Sequence, residues 1–315
     1  QVEMFDLFRL KEALVRYKQD FVSMEWKNEK YKWEAVKWFQ DHWDVNATDF
    51  PAMLNTALDK TFNLLASANN FPKGMIVGFA KSAPEEVRAM FIDLFDENKD
   101  VYERIDAFKL GSSKLLERYG NGAAQHYQLE NAISTYLWLR YPDRYYIYKF
   151  SEVKVVAAEL EADYRFKKGA YADNVRNFIK LYDEICSVLQ ADQELINLLR
   201  AQLTDTCYPD PELRTLTIDV GFYISRYYSQ RDAEQTAPEE WVGSDYNPNL
   251  SVEDWKGLLQ DETVFTSSAL QIMKRMKDYG GTASCTQLAV KYGETKNFYN
   301  CLLYTSPSPR DPKTS

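Results

Sequence analysis

Histidine is nearly missing from this chain, with only His42 and His126 among 315 residues. A histidine-based catalytic triad or an imidazole-rich metal site needs more of it, so both are close to excluded. Cysteine is sparse too. Cys186, Cys207, Cys285 and Cys301 show no paired spacing. That pattern builds neither a disulfide framework nor a zinc knuckle, and it fits a reducing, cytoplasmic setting. No apolar run approaches the roughly 20 residues of a membrane span, and no basic-then-apolar leader opens the chain. The P-loop string G-x-x-x-x-G-K-[ST] occurs nowhere, which leaves Lys73-Gly74 as part of a turn. A net charge of −9 excludes a generally basic nucleic-acid binder, so any DNA contact has to be local. No catalytic centre, cofactor site or metal site is expected in this chain.

Aromatic residues are what the chain has in plenty: 22 Tyr, 17 Phe and 7 Trp, or 15%. Such a supply serves either large cores or stacking surfaces, and composition does not choose between them. Residues 1 to about 45 read as helices, with Phe5, Leu10, Leu14, Tyr17, Phe21, Trp26, Trp33 and Phe39 on a broad aromatic face. Glu29, Lys30, Lys32, Glu34 and Lys37 interleave as the solvated side. Asp49-Phe-Pro51 opens a further helix, and Ser82-x-x-Glu85, with Pro84 in the first turn, reads as the start of another. Asp93, Asp96, Glu97 and Asp100 read as a solvated acidic end, because the order of a calcium loop is missing. Gly120-Asn-Gly122 punctuates the chain.

Beyond it the character changes. Arg144-Tyr-Tyr-Ile-Tyr-Lys-Phe150 and Leu213 to Ile224 have strand composition, which predicts a small sheet in a helical protein. The predicted fold class is mainly α with a small β-sheet (α+β). Asp163 to Tyr171 is the best basic-aromatic interleave: Arg165, Lys167 and Lys168 next to Gly169 offer phosphate contacts, with Tyr164, Phe166 or Tyr171 placed to stack. A plain interhelix loop fits the same residues.

Residues 230–249 are acidic and carry two prolines, the composition of a linker. Ser251-x-x-Asp254 then caps a helix, with Leu250 and Trp255 set as a hydrophobic staple. The next helix, Ser267 to Tyr279, carries Lys274, Arg275 and Lys277. Ser284-x-x-Gln287 starts a short helix through Leu288 and Tyr292, which Gly293 ends through φ > 0. A second helix begins near Thr295, and Lys291, Lys296 and Asn297 would face DNA in a helix-turn-helix. An ordinary helical hairpin fits equally well. The predicted organisation is a helical aromatic-rich domain (1–120), a helical region with the small sheet (121–229), an acidic linker (230–249), a C-terminal helix-turn-helix-like module (250–300) and a tail (301–315).

Whole strings of the chain resemble a known family. They are Tyr31-Lys-Trp33, Trp38-Phe39-Gln40, Asn63-Leu-Leu65, Met90-Phe91, Tyr136-Leu-Trp-Leu-Arg-Tyr-Pro142 and Tyr145-Tyr-Ile-Tyr-Lys149, followed by Gly280-Gly281, Leu288-Ala289, Tyr292-Gly293 and Asn297-Phe-Tyr-Asn300. Together they resemble the N-terminal region of bacterial McrB-like AAA+ proteins of modification-dependent restriction systems. The resemblance implies a target-recognising region for DNA, possibly modified, that assembles with other subunits of a restriction complex. In that family a GTP-hydrolysing motor follows and a separate subunit cuts; neither motif occurs here. A module that binds a partner subunit without touching DNA is the alternative. Cys301 to Asp311 resembles one reading frame of a transposon-end sequencing adaptor, with Pro312–Ser315 as read-through. On that reading the sequence is a fragment whose native part ends near Asn300.

Overall fold

The structure, a computed structural model, describes residues 4–67, 69–230, 251–261, 265, 267–279, 288 and 291–293. The chain divides into two compact units, 1–236 and 237–315.

In the first unit, α1 (Leu7–Asp20) starts where Asp6 accepts hydrogen bonds from the amides of Phe8 and Arg9. It runs without a break into a π-helical turn, Phe21–Glu25, then α2 (Trp26–Glu29) and α3 (Tyr31–His42). Asp49 caps α4 (Phe50–Ala57) through the Ala52 amide, as its sequence position predicts. The helices α5 (Pro72–Ser82) and α6 (Pro84–Leu94) abut. Ser82 therefore ends one helix rather than capping the next, and Pro84 alone marks the start of α6, where its missing N–H costs nothing. Asp100 caps α7 (Val101–Tyr119), accepting from the amides of Tyr102 and Glu103. Next come α8 (Glu130–Arg140), α9 (Phe150–Glu159), α10 (Tyr171–Gln190), α11 (Gln193–Gln202) and α12 (Arg214–Arg226).

The expected small sheet is corrected: among the described residues there is no β-strand, only an isolated bridge between Ser67 and Asn70. The unit is all-α. Of the Leu213–Ile224 run, all but Leu213 lies in helix α12, buried from Thr215 through Gly221 and again at Tyr223 and Ile224. A run buried on every side has no polar face, so periodicity cannot separate it from a covered strand. Tyr145–Tyr148 are buried as well, but they lie in a non-helical connection between α8 and α9. Side chains of α8 take the place of a β-ladder there. Ser134 Oγ accepts from the Tyr148 amide at 2.8 Å, and Asn131 Nδ2 donates to the Tyr148 carbonyl at 2.9 Å.

Helix α12 is the centre of this unit, packing against α1, α9 and α10. Gly221 permits the closest approach: a Cβ there would collide with the Tyr182 ring of α10, whose Cζ would be 2.9 Å away. One apolar core runs from Phe5 to Tyr228, on both sides of Gly120–Gly122. Trp33 and Trp138 belong to it and are fully buried, so they offer no stacking surface. Their N–H groups are satisfied internally, by Asp210 Oδ2 at 3.2 Å and Thr215 Oγ1 at 3.0 Å.

In the second unit, α13 (Val252–Gln260) carries the predicted capping box. The Asp254 amide donates to Ser251 Oγ at 3.1 Å, and the Ser251 amide to Asp254 Oδ2 at 2.8 Å. Its staple partner Leu250 lies outside the described residues. The next helix, α14 (Ser267–Tyr279), buries Ala269 and Ile272. Leu288 is buried and helical, and Tyr292 Oη donates to the Arg275 carbonyl of α14 at 3.2 Å. Gly293 follows with φ +83°, the left-handed exit that the sequence predicts. The remainder of the helix-turn-helix-like module, including the second helix from Thr295, lies outside the described residues, as do all of the 230–249 linker but Gln230 and the tail 301–315.

Candidate nucleic-acid interface

The basic-aromatic interleave forms a built loop between α9 and α10. Helix α9 ends in a Schellman arrangement, in which the Ala162 amide donates to the Ala157 carbonyl at 2.8 Å and Glu161 takes φ +51°. The Asp163 amide then donates to the Met4 carbonyl at 3.0 Å, which fixes the loop's start. Phe166 turns inward and is buried, meeting Tyr164 edge-on at 4.9 Å.

Asn174, buried in the first turn of α10, clamps the middle of the loop. Its Oδ1 accepts from Tyr164 Oη at 2.9 Å and from the Lys167 amide at 3.2 Å, while its Nδ2 donates to the Lys167 carbonyl at 2.7 Å. Gly169, at φ +89°, supplies the backbone reversal before the helix. With Phe166 inward and Lys167's backbone held, Arg165, Lys167 and Lys168 are all exposed. None of the three has an ion-pair partner among the described residues, so their charge is available to a ligand. Burial followed by the Asp173 charge pushes the Tyr164 phenol up, so it stays a neutral donor to Asn174. Tyr171, 51% exposed, opens α10, and the Lys109 ammonium stands 4.6 Å from its ring centre. Lys109 is held there by Glu130 at 2.7 Å. Of the candidate stackers, Phe166 is core and Tyr171 is accessible.

The other candidate DNA contacts are in the second unit. Lys274 on α14 and Lys291 are exposed, the latter with its ammonium 5.5 Å from the Tyr292 ring centre. Arg275 also lies over that ring, at 5.4 Å. Lys296 and Asn297 lie outside the described residues.

A second constellation escaped sequence reasoning. Glu29 and Lys32, expected on a solvated face, are buried with Glu25 and Asp219. Lys32 Nζ lies 2.7 Å from Asp219 Oδ1 and 3.2 Å from Glu29 Oε2, and Tyr17 Oη donates to Asp219 Oδ2 at 2.6 Å. Burial opposes charge on Lys32, but Asp219 and Glu29 outweigh it and its pKa rises. Glu25 closes the π-helical turn, 1% exposed, with neither carboxylate oxygen hydrogen-bonded. Burial, then the Asp219 charge, drives its pKa up to about 10, against the pull of Lys32. Glu25 is therefore an uncharged acid at neutral pH, and the cluster balances one ammonium against two carboxylates. Among the described residues no group of histidine, cysteine or acidic side chains could hold a metal ion. The only sequence signal was the carboxylates at 25 and 29 one helical turn apart; nothing local announced Asp219.

The acidic residues near α7 are also engaged. Glu97 accepts from Tyr145 Oη at 2.7 Å and pairs with Arg144 at 2.5 Å and Arg104 at 3.5 Å. No helix among the described residues is long and apolar enough to cross a membrane. Comparison with protein-family models, with curated proteins and with solved structures finds no match to this chain.

Proposed function

We propose that this chain is the DNA-recognition and assembly region of a McrB-like restriction AAA+ protein, lacking its motor. The observation that carries the reading is the clamped loop, which presents Arg165, Lys167 and Lys168 without ion-pair partners among the described residues. Fixed cations on a pinned backbone contact phosphates at little ordering cost, and phosphate contacts set register while base contacts specify sequence. The string resemblance supports the same reading, and Lys274, Lys291, Lys296 and Asn297 are its second contact group.

A salt titration of duplex DNA binding tests it. Each phosphate neutralised contributes a slope of about −0.9 in log K against log salt, so three contribute roughly −2.7. Replacing Arg165, Lys167 and Lys168 by Gln should weaken binding and flatten the slope by about that amount. Absence of binding at low salt would sink the DNA reading and leave the partner-subunit module in its place. An unchanged slope in the triple variant would show that the loop is not the contact surface.

A further inference from the structure

A pocket of about 550 Å³ opens between α11 and the turn that leads into α12, and no residue of the cationic loop lines it. Its volume is that of a small-molecule site. The floor is aliphatic: Ile196 and Leu199 on α11, Leu203 just past that helix's end, and Leu213 on the turn.

The turn is a built wall. Asp210 takes φ +51° and Leu213 φ +58°. Aspartate visits the left-handed region through its short polar side chain, but a leucine there is strained. Strain of this kind persists only where the surroundings over-determine it, and it clusters at ligand clamps. Here the Asp210 carboxylate accepts from Trp33 Nε1 at 3.2 Å and from the amides of Thr215 and Leu216 at 3.1 and 2.8 Å. The Glu212 carbonyl accepts from Gln190 Nε2 at 3.0 Å and from Cys186 Sγ at 3.1 Å. A wall fixed in advance lowers the ordering cost of binding.

The pocket also carries polar groups that the fold does not use. Arg200 and Glu212 are exposed, and neither has an ion-pair partner among the described residues, although both line this one pocket. Gln190 engages the Glu212 carbonyl through Nε2, which leaves its Oε1 to accept from a ligand. The Leu203 amide closes α11 on the Leu199 carbonyl at 3.2 Å, so the negative end of that helix adds to Glu212 as a seat for an ammonium.

We propose that this pocket binds an aliphatic zwitterion, a leucine-like amino acid or the short free-ended peptide that shares its chemistry. The aliphatic side chain covers the floor, Arg200 takes the carboxylate through paired N–H groups, and Glu212 with Gln190 Oε1 takes the ammonium. Charge selects the class: a ligand with one charge leaves Arg200 or Glu212 unmatched, and a neutral apolar ligand leaves both. The site is confined to Gln190, α11 and the 209–213 turn, so its occupancy is independent of DNA binding.

Titration of the isotope-labelled full chain with leucine, followed by amide NMR, tests it. The expected result is saturable shifts within residues 196–213 at millimolar leucine, and none with glycine, which lacks the aliphatic side chain. N-acetyl-leucine and leucine amide, each missing one charge, should bind about three- to fivefold more weakly. In Arg200→Gln the amide should lose its disadvantage against leucine, and in Glu212→Gln the acetyl compound should; both positions are exposed, so the fold is unaffected. Tighter binding of leucine than of leucyl-leucine marks a free amino acid as the source, and the reverse marks a peptide end. Absence of saturable shifts with both overturns the proposal, as does glycine binding as well as leucine. Charge-blocked ligands that match leucine, or that keep their disadvantage in both variants, overturn it equally.

Discussion

Replacing Glu25 by Gln should make the protein more stable as pH rises. In the fold, Glu25 is buried in the π-helical turn beside Asp219 and Glu29, with no hydrogen bond to either oxygen. Burial is the main force raising its pKa from an ordinary 4.5 to about 10. The sign follows from proton counting. Between those values the folded chain keeps a proton that the unfolded chain has lost, so stability falls as pH rises, by about 1.4 kcal/mol per pH unit. Between roughly pH 5.5 and 8.5 the cost accumulates to at most about 4 kcal/mol. Glutamine keeps the shape and cannot ionise.

Urea unfolding of both proteins at several pH values in that window measures the effect, followed by the fluorescence of tryptophans such as Trp26 and Trp33, whose rings lie 5.1 Å apart. The difference between wild type and Glu25→Gln is the informative quantity. Other titrating groups, including Glu152, which burial raises to about 7, are common to both and cancel to first order. The variant should gain on the wild type steadily as pH rises. Parallel pH curves would refute the reasoning, and a variant that loses stability at the alkaline end would mean that Glu25 is charged and bonded in the fold.

Two further outcomes are expected. Gly221→Ala should cost about 1–3 kcal/mol in urea unfolding, because its Cβ is driven into the Tyr182 ring; pairing it with Tyr182→Leu should recover part of the loss, and no recovery would place the strain elsewhere. Asn174→Ala removes the clamp on Lys167, with its hydrogen bonds at 2.7 and 3.2 Å. It should speed amide exchange at Lys167 and lower DNA affinity several-fold without changing the salt slope, since no cation is lost. An affinity equal to wild type would show that the loop's fixed shape is irrelevant to binding.

Local features of the sequence determined a good part of this protein. The amphipathic pattern of α1, the Asp49 cap, the Ser251–Asp254 box and the exit at Gly293 could all be read because each depends on residues within a turn or two. The cationic loop was legible for the same reason: Arg165, Lys167, Lys168 and Gly169 are neighbours in the chain. What lay at a distance was hidden. Asn174's clamp needed the path of the loop, and Glu29 and Lys32 read as an ordinary polar face until Asp219, 187 residues beyond Lys32, was packed against them. The supposed strands failed at the other extreme. Leu213–Ile224 is apolar and β-branched because α12 is enclosed by α1, α9 and α10, and enclosure on all sides erases the period that tells a helix from a strand. Tertiary packing thus decided which aromatic side chains were core, which charges were buried and where one carboxylic acid keeps its proton, because burial and long-range pairing are properties of the folded chain and not of any window along it.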